Sequence, residues 1–486
     1  MLKKYITRFS SRFRSDEIEL VTNASNYLIG DVISRGIVFL TIPIYTRLLP
    51  PDQLGVLAVF QSIIYMLSIV YSCGVPGAVT RYYYEERSDF KSFFGNNVFF
   101  TVVLSLIFSL IVFILRRPLA IFFNINTNLI IYVILISLGL AVFRIYKAYL
   151  QAIKYSKKYS ILSIGKEALI LIISIPLILL LNKNEYMGKV YSQSLVILGL
   201  FVFLIYSIYS FARISLEKKH FRYSLIFGLP VVVHLLSHYL LTSFDQIIIN
   251  QLLGKTETGL YFVAYRIGLI QNILNLAIIK AWTPLFYEKL NKELYEDITR
   301  LVQKYALIIF ASSAVLILFS REIMVLISDV KYHQAAPIIP IIITSYIFVF
   351  IYTIYVNYSF YYKKTYLMSM ATILCGLLNI GLNYLLIPKF GYFAAAFTTL
   401  ISYCLLFVLH YFNVRYILKI ENRVSFWKIV KFSFLPLIGL VIFTVGFIYD
   451  LNLTVMLPLK GLSLIIVLMV IYLFFKRQSK NNSQSL

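Results

Sequence analysis

Residues Lys363–Tyr403 read KKTYLMSMATILCGLLNIGLNYLLIPKFGYFAAAFTTLISY. Two lysines open the stretch and no acid occurs in it. A helix needs about 20 predominantly apolar residues to cross a bilayer core. The stretch supplies one such run, a turn at Pro388–Gly391 and the start of a second run. It therefore predicts two membrane-spanning helices joined by a short turn.

The same pattern extends over the whole chain. Spans are expected at 25–47, 54–76, 93–115, 128–150, 160–182, 188–211, 225–251, 258–282, 303–321, 336–360, 365–387, 391–413, 429–449 and 456–475. The expected fold class is an all-α polytopic membrane protein with about 14 transmembrane helices. Composition agrees: 60% of the 486 residues are hydrophobic and only 14% are charged. Mean hydropathy is +0.82. The 39 Tyr and 39 Phe suit the two bilayer interfaces, where aromatic rings collect.

The formal net charge of +24 would suggest nucleic acid in a soluble protein. Here the basic residues sit in short loops between apolar runs, and no nucleic-acid motif or basic stripe accompanies them. Alternate loops, such as the one holding Lys154, Lys157 and Lys158, hold roughly three times as many Lys and Arg as the others. This places both termini in the cytoplasm and supports an even number of crossings. Cys73, Cys375 and Cys404 lie in apolar runs without metal spacing, so they read as small buried residues. The first apolar run is long and contains Asp31 and Arg35, which predicts a retained helix rather than a cleaved leader.

An internal repeat is present. Thr46–Ile63, TRLLPPDQLGVLAVFQSI, aligns with Asn250–Ile267, NQLLGKTETGLYFVAYRI, pairing Leu49 with Leu253, Gly55 with Gly259 and Val59 with Val263. Tyr155–Lys158 aligns with Tyr361–Lys364 at nearly the same offset. The offset equals six spans, so the repeated bundles share one orientation. Parallel repeats of this kind are related by a pseudo-two-fold along the membrane normal and form transporters that rock about a central site. The expected organisation is a cytoplasmic lead over 1–22, an N-lobe over 23–215 (helices 1–6) and a C-lobe over 216–415 (helices 7–12). Helices 13 and 14 follow over 416–476, then a cytoplasmic tail over 477–486. The start, Lys3–Glu19, reads as an amphipathic segment on the membrane surface.

A charge at the bilayer centre costs about 2.5–3.5 kcal/mol on insertion scales. Apart from those assigned to the flanking loops, nine charged residues fall inside the spans: Arg35, Arg144, Lys147, Lys166, Arg266 and Lys280, against Asp31, Glu167 and Asp245. Arg144, Lys147 and Lys280 lie near cytoplasmic helix ends, where long side chains snorkel or line a cavity mouth. Asp31 and Arg35 share a helix face, as do His234, His238 and Asp245. The second group reads either as a proton relay or as a polar stripe facing water. The excess of cations predicts a cavity for an anion, and a phosphate suits arginine's planar fork. Pro43, Pro76, Pro176, Pro230, Pro340 and Pro436 interrupt the helical hydrogen-bond ladder.

Two stretches carry a family resemblance. IPIYTRLLPPDQLGVLAVFQSI at Ile42–Ile63 resembles the opening of the polysaccharide transporters in the multidrug/oligosaccharidyl-lipid/polysaccharide exporter superfamily. Lys363–Tyr403, with Asn379, Asn383, Pro388, Gly391 and Ala394–Ala396, is similar to that branch's N-x-x-x-N helix, I-P turn and small-residue run. The resemblance implies a Wzx-type flippase, not an enzyme. It would carry undecaprenyl-pyrophosphate-linked repeat units for O-antigen or capsule across the inner membrane to the periplasmic leaflet. A polysaccharide polymerase and a chain-length regulator are the implied protein partners, with no cofactor beyond H+ or Na+ coupling. A lipid II flippase and a cation-coupled multidrug exporter are the alternatives. Arg35, Arg266, Lys166, Arg144, Lys147 and Lys280 are then expected to hold the pyrophosphate. Asp31, Glu167, Asp245, His234 and His238 are the expected coupling groups.

Overall fold

The computed structural model describes residues 15–364, 366–449, 451 and 453–483. All regular structure among the described residues is helical. This is the required outcome for open chain in lipid, where each backbone polar group has to be satisfied within its own segment. The long helices are α1 (Ser15–Leu48), α2 (Pro51–Ser72, continued by Val75–Glu85), α3 (Phe90–Ile114), α4 (Thr127–Ala152), α5 (Ser156–Leu180), α6 (Met187–Tyr209) and α7 (Lys218–Ser243). After a short helix, Asp245–Leu252, come α8 (Lys255–Gly268, continued by Ile270–Asn291), α9 (Tyr295–Leu318), α10 (Ile338–Tyr361), α11 (Tyr366–Phe390) and α12 (Phe393–Phe412). The last two are α13 (Phe434–Ile448) and α14 (Leu453–Ser483). Among the described residues thirteen helices are long and apolar enough to cross a membrane, and α13 is a shorter apolar helix. The chain is a multi-pass membrane protein.

Some boundaries differ from the sequence expectation. Residues 1–14 of the expected lead lie outside the described residues, but from Ser15 onward the lead is one continuous helix with the first span. The span expected at 225–251 is two helices, because the chain turns at Phe244. Lys460 is buried within α14 and pairs with Glu322 of the short helix Ser320–Ile327. Burial of that ammonium is tolerable because its charge is matched.

The prolines divide into two kinds. Pro43, Pro176 and Pro230 are helix-interior and remove a ladder bond. Pro76, Pro340 and Pro436 lie in first turns, where the missing N–H would have had no intrahelical partner anyway. Of these six only the first three interrupt a ladder; Pro284, Pro388 and Pro458 are helix-interior as well.

By its contacts the chain divides into two compact units. Unit 1 is Met1–Tyr239 with Gly254–Thr256, and unit 2 is Leu240–Leu253 with Glu257–Leu486. In unit 1, α4 packs on α2, α3 and α6, and α5 packs on α6. In unit 2, α10 packs on α8, α9 and α12, and α11 packs on α12. The same pairings therefore recur six helices apart, as the sequence repeat predicts. The final pair belongs to unit 2, where α13 and α14 pack on α9.

The correspondence breaks at α7. In unit 1, α1 packs along α5; in unit 2 the contacts with α11 come from Asp245–Leu252. The division falls at Tyr239, within α7, and the helix up to that residue packs with unit 1. Gly228 lies against the backbone of Cys73 and Gly74, at the left-handed break that separates the two parts of α2. Tyr223 donates to Glu85 at 2.6 Å, and Tyr239 donates to the Ser62 carbonyl at 2.9 Å.

The connection into α7 is clasped by Asn96 of α3, which is fully buried. Its Oδ1 accepts from the backbone N–H of Ser215 (2.8 Å) and Leu216 (3.1 Å). Its Nδ2 donates to Ser215 Oγ (2.9 Å) and lies 2.7 Å from His220 Nδ1. An amide donor at Nδ1 requires that nitrogen to be the acceptor, so His220 donates from Nε2 to Asp89, 2.7 Å away. Asp89, Glu217 and His220 lie close enough to hold a cation. The Lys219 ammonium takes that place, 2.9 Å from Asp89 and 3.0 Å from Glu217. Partial burial raises the Asp89 carboxyl, but hydrogen bonds from Lys219 and His220 outweigh it and hold it down at about 2. A depressed carboxyl contributes stability above its unfolded value and loses it as pH falls through the folded one. The clasp should accordingly persist at neutral pH. Asn96→Ala is expected to destabilise unit 1 by about 1–3 kcal/mol, the cost of leaving buried donors unpaired. Thermal unfolding of the purified variant checks this.

Candidate functional site

The charged residues expected in the membrane fall into separate groups. The densest group lies in unit 1, on α1, α4 and α5. α1 contributes Asp31 and Arg35, one turn apart. α4 contributes Phe143 and Lys147, also one turn apart. α5 contributes Tyr159 and, two turns on, Lys166 with Glu167. These spacings bring each set to one side of its helix.

Asp31 accepts a hydrogen bond from the Tyr159 hydroxyl at 3.2 Å. Lys166 and Glu167 form an ion pair at 2.5 Å, both side chains partly exposed. Adjacent residues do not normally face each other on a helix, but these two long side chains curl toward one another. The Lys147 ammonium is 4.0 Å from the Tyr159 ring centre and 5.7 Å from that of Phe143. The Lys166 ammonium also lies over this set, 5.5 Å from the Phe143 ring centre. A cation on an aromatic face is stabilised by the ring quadrupole without losing its charge. Among the described residues Lys147 makes no ion pair. The charges acting on it are Asp31, Lys166, Glu167 and Arg35. Arg35 is exposed on α1. Arg144, one turn before Lys147, stands over the Tyr65 ring of α2 at 4.7 Å.

The group therefore holds two cations on a shared aromatic floor, with one carboxylate engaged by a lysine and the other by a tyrosine. At Lys147 an anion would displace no carboxylate, whereas at Lys166 it would compete with Glu167.

A second site lies in unit 2, around Asp245. The Phe244 turn makes Asp245 the first residue of a new helix, where a negative charge complements the helix dipole. The side chain is 1% exposed. Asp245 Oδ2 accepts from Tyr261 (2.9 Å) and Thr399 (2.8 Å), and Oδ1 accepts from Asn383 Nδ2 (2.8 Å). Thr398 donates to Asn383 Oδ1 at 2.5 Å, and Asn379 Oδ1 accepts from Asn383 at 3.1 Å. Among the described residues no Lys, Arg or His pairs with Asp245. An ionised carboxylate buried without a cation costs several kcal/mol. The arrangement suits a bound proton or a small cation ringed by oxygens.

The remaining candidates are Arg266, Lys280, His234 and His238. Arg266 lies over the Phe262 ring at 4.9 Å and Lys280 is exposed, both in unit 2. His234 and His238 lie on the part of α7 that belongs to unit 1, whereas Asp245 belongs to unit 2. Sequence reasoning missed Tyr159, Phe143, Tyr261, Thr398 and Thr399 as site residues. Asn379 and Asn383, one turn apart on an otherwise apolar helix, were the signal for the second site.

Residues 20–290 match the family model described as polysaccharide biosynthesis protein. The chain belongs to this family. A Lsg locus protein of Haemophilus influenzae is 23% identical over 368 residues, covering 73% of this chain and 88% of that protein. An uncharacterized membrane protein of the same organism is 23% identical over 385 residues, covering 75% and 89%. Among solved structures, the lipid II flippase MurJ in an inward closed conformation superposes with a TM-score of 0.71 at 16% identity, over 92% of this chain and 98% of MurJ. An inward-facing multidrug resistance MATE transporter gives 0.63 at 14% identity, over 80% and 96%. This polysaccharide biosynthesis family member thus has the fold of the multidrug/oligosaccharidyl-lipid/polysaccharide superfamily transporters.

Proposed function

We propose that the protein is a flippase for undecaprenyl-pyrophosphate-linked oligosaccharide repeat units of O-antigen or capsule. It acts in the cytoplasmic membrane, with both termini in the cytoplasm, and moves its cargo to the periplasmic leaflet. The observation that carries this reading is Lys147, a membrane-embedded cation held on Tyr159 and Phe143 without an ion-pair partner among the described residues. Lys147, Lys166 and Arg35 receive the pyrophosphate, and Arg144 guides it from the face of Tyr65. Arg266 and Lys280 are the cations that unit 2 offers to the same class of anion. Asp245 couples the cycle to a proton or sodium ion. Asp31, Glu167, His234 and His238 are secondary coupling groups. A polymerase and a chain-length regulator would take up the delivered unit.

Lys147→Gln is expected to reduce surface polysaccharide about tenfold at unchanged protein level, since a charge-assisted hydrogen bond contributes about 1.5–3 kcal/mol. Lys166→Gln should do at least as much, because its partner Glu167 is left behind as an unpaired negative charge that repels the anion. Wild-type polymer in both variants would refute the assigned roles.

The similarity to MurJ favours one second reading, a flippase for lipid II. It has the same need for a pyrophosphate site. Deleting the gene separates the two: loss of lipid II transport is lethal, whereas loss of an O-antigen or capsule flippase leaves viable cells lacking polymer. A multidrug exporter for hydrophobic cations is disfavoured, because Lys147 and Lys166 would repel such cargo.

A further inference from the structure

Between α12 and α13 the chain forms a compact platform in unit 2. A short π-helical turn, Asn413–Ile417, leads to a five-residue helix, Phe426–Val430. The platform is seated from beneath. Val424, Ile429 and Phe432 are buried in the unit 2 core. The Tyr355 hydroxyl donates to the Val424 carbonyl and the Tyr358 hydroxyl accepts from the Val424 N–H, both at 3.2 Å. This fixes which side chains face outward.

The outward set is unusual in pairing large apolar groups with cations. Trp427 is 76% exposed, next to Lys428, and Tyr416 and Ile417 are also exposed. The Lys431 ammonium lies at the seam with α14, 4.8 Å from the Phe432 ring centre and 5.5 Å from that of Phe474. Phe432 and Phe474 are themselves in edge contact at 5.4 Å. Lys431 is repelled by Arg477 of α14 and by Lys428. Among the described residues neither Lys428 nor Lys431 makes an ion pair. Lys431 thus sits at this seam within electrostatic reach of Arg477 and Lys428, close in the chain to an indole that is largely exposed.

We infer that this platform is a binding site for the headgroup of an anionic phospholipid, seated between Lys428, Lys431 and Arg477 with Trp427 in the adjoining interfacial layer. The lipid phosphate supplies the negative charge that these cations lack, and an indole with an apolar body and one N–H favours the headgroup depth. A basic segment at a membrane surface enriches anionic lipid electrostatically, but the seam makes a fixed site rather than a diffuse cloud. The inference concerns a lipid of the surrounding bilayer and does not depend on the transported cargo.

The chain has two tryptophans, of which Trp282 is 3% exposed, so Trp427 reports on the platform almost alone. The full-length protein is placed in phosphatidylcholine vesicles containing either brominated phosphatidylglycerol or brominated phosphatidylcholine. The Trp427→Phe variant gives the Trp282 background to subtract. The brominated anionic lipid should quench Trp427 at about fivefold lower mole fraction than the brominated zwitterionic one. In Lys428→Gln/Lys431→Gln the two lipids should quench alike. Equal quenching in the unmodified chain, or an undiminished anionic preference in the double variant, would overturn the proposal.

Discussion

Asp245→Asn should abolish coupled transport while leaving the protein folded. The substitution keeps the shape of the side chain and its place among Tyr261, Thr399 and Asn383. It removes the one group there that can bind a proton or balance a cation. Typical coupling energies correspond to about 5–150-fold in affinity, and because this carboxylate is fully buried, the loss should lie near the upper end, about 100-fold. Folding should be spared, because an amide in a buried polar network carries no charge to desolvate. Two measurements decide the matter. Surface polysaccharide at matched protein level should fall by that factor. In reconstituted vesicles the natural protein should respond to an imposed sodium or proton gradient, and the variant to neither. The gradient that drives the natural protein identifies the ion. A variant that retained full gradient dependence would remove Asp245 from the mechanism.

Gly228→Val should have an equally large effect, but on assembly. A side chain at Gly228 would run into the Cys73 carbonyl oxygen and approach the Gly74 Cα at 3.2 Å. The opposing contact is backbone, at a break whose Gly74 has a φ of +70°. Neither partner can swing aside as a flexible side chain would. Close backbone approach through glycine is the usual way membrane helices pack without a hydrophobic driving force. Overpacking costs about 1–3 kcal/mol and occasionally more, and this site is at the high end because the clash is reciprocal. α7 would lift from α2, and the loss of folded protein should be visible as a collapsed monodisperse peak on size exclusion and a lowered thermal midpoint. Gly228→Ala should show the same defect in milder form. Near-native stability in the valine variant would mean that α7 does not depend on this contact.

These two expectations reorder the residues that sequence alone put first. By position in the sequence Arg35 and Arg266 lie deeper in their apolar runs than Lys147 and Lys280. In the folded protein Lys147 is the better placed cation, because Phe143 and Tyr159 hold it between two helices. Depth along a run is a one-dimensional quantity, and it says nothing about which aromatic faces a neighbouring helix brings up. The Asp31–Arg35 spacing was legible as a shared face. That Asp31 would take its hydrogen bond from Tyr159, 128 residues away in sequence, was not.

The membrane crossings, the repeat and the basic bias of alternate loops were all determined by the sequence itself. Each depends on transfer energies that act residue by residue along the chain, so an apolar run of sufficient length declares itself without knowledge of its neighbours. The repeat implies that packing recurs six helices apart, as α4 with α6 and α10 with α12 do, but which helices pair is tertiary. Tertiary structure decided the rest. A helical face can be extrapolated only while the 3.6-residue period is unbroken. The turn at Phe244 resets that period, which is why His234, His238 and Asp245 cannot be read as one stripe. It also delivers Asp245 to Asn383 and Thr399, on helices that sequence spacing could not bring beside it. A buried charge is tolerated only where other segments supply its partners, and that condition is met, or fails, in three dimensions.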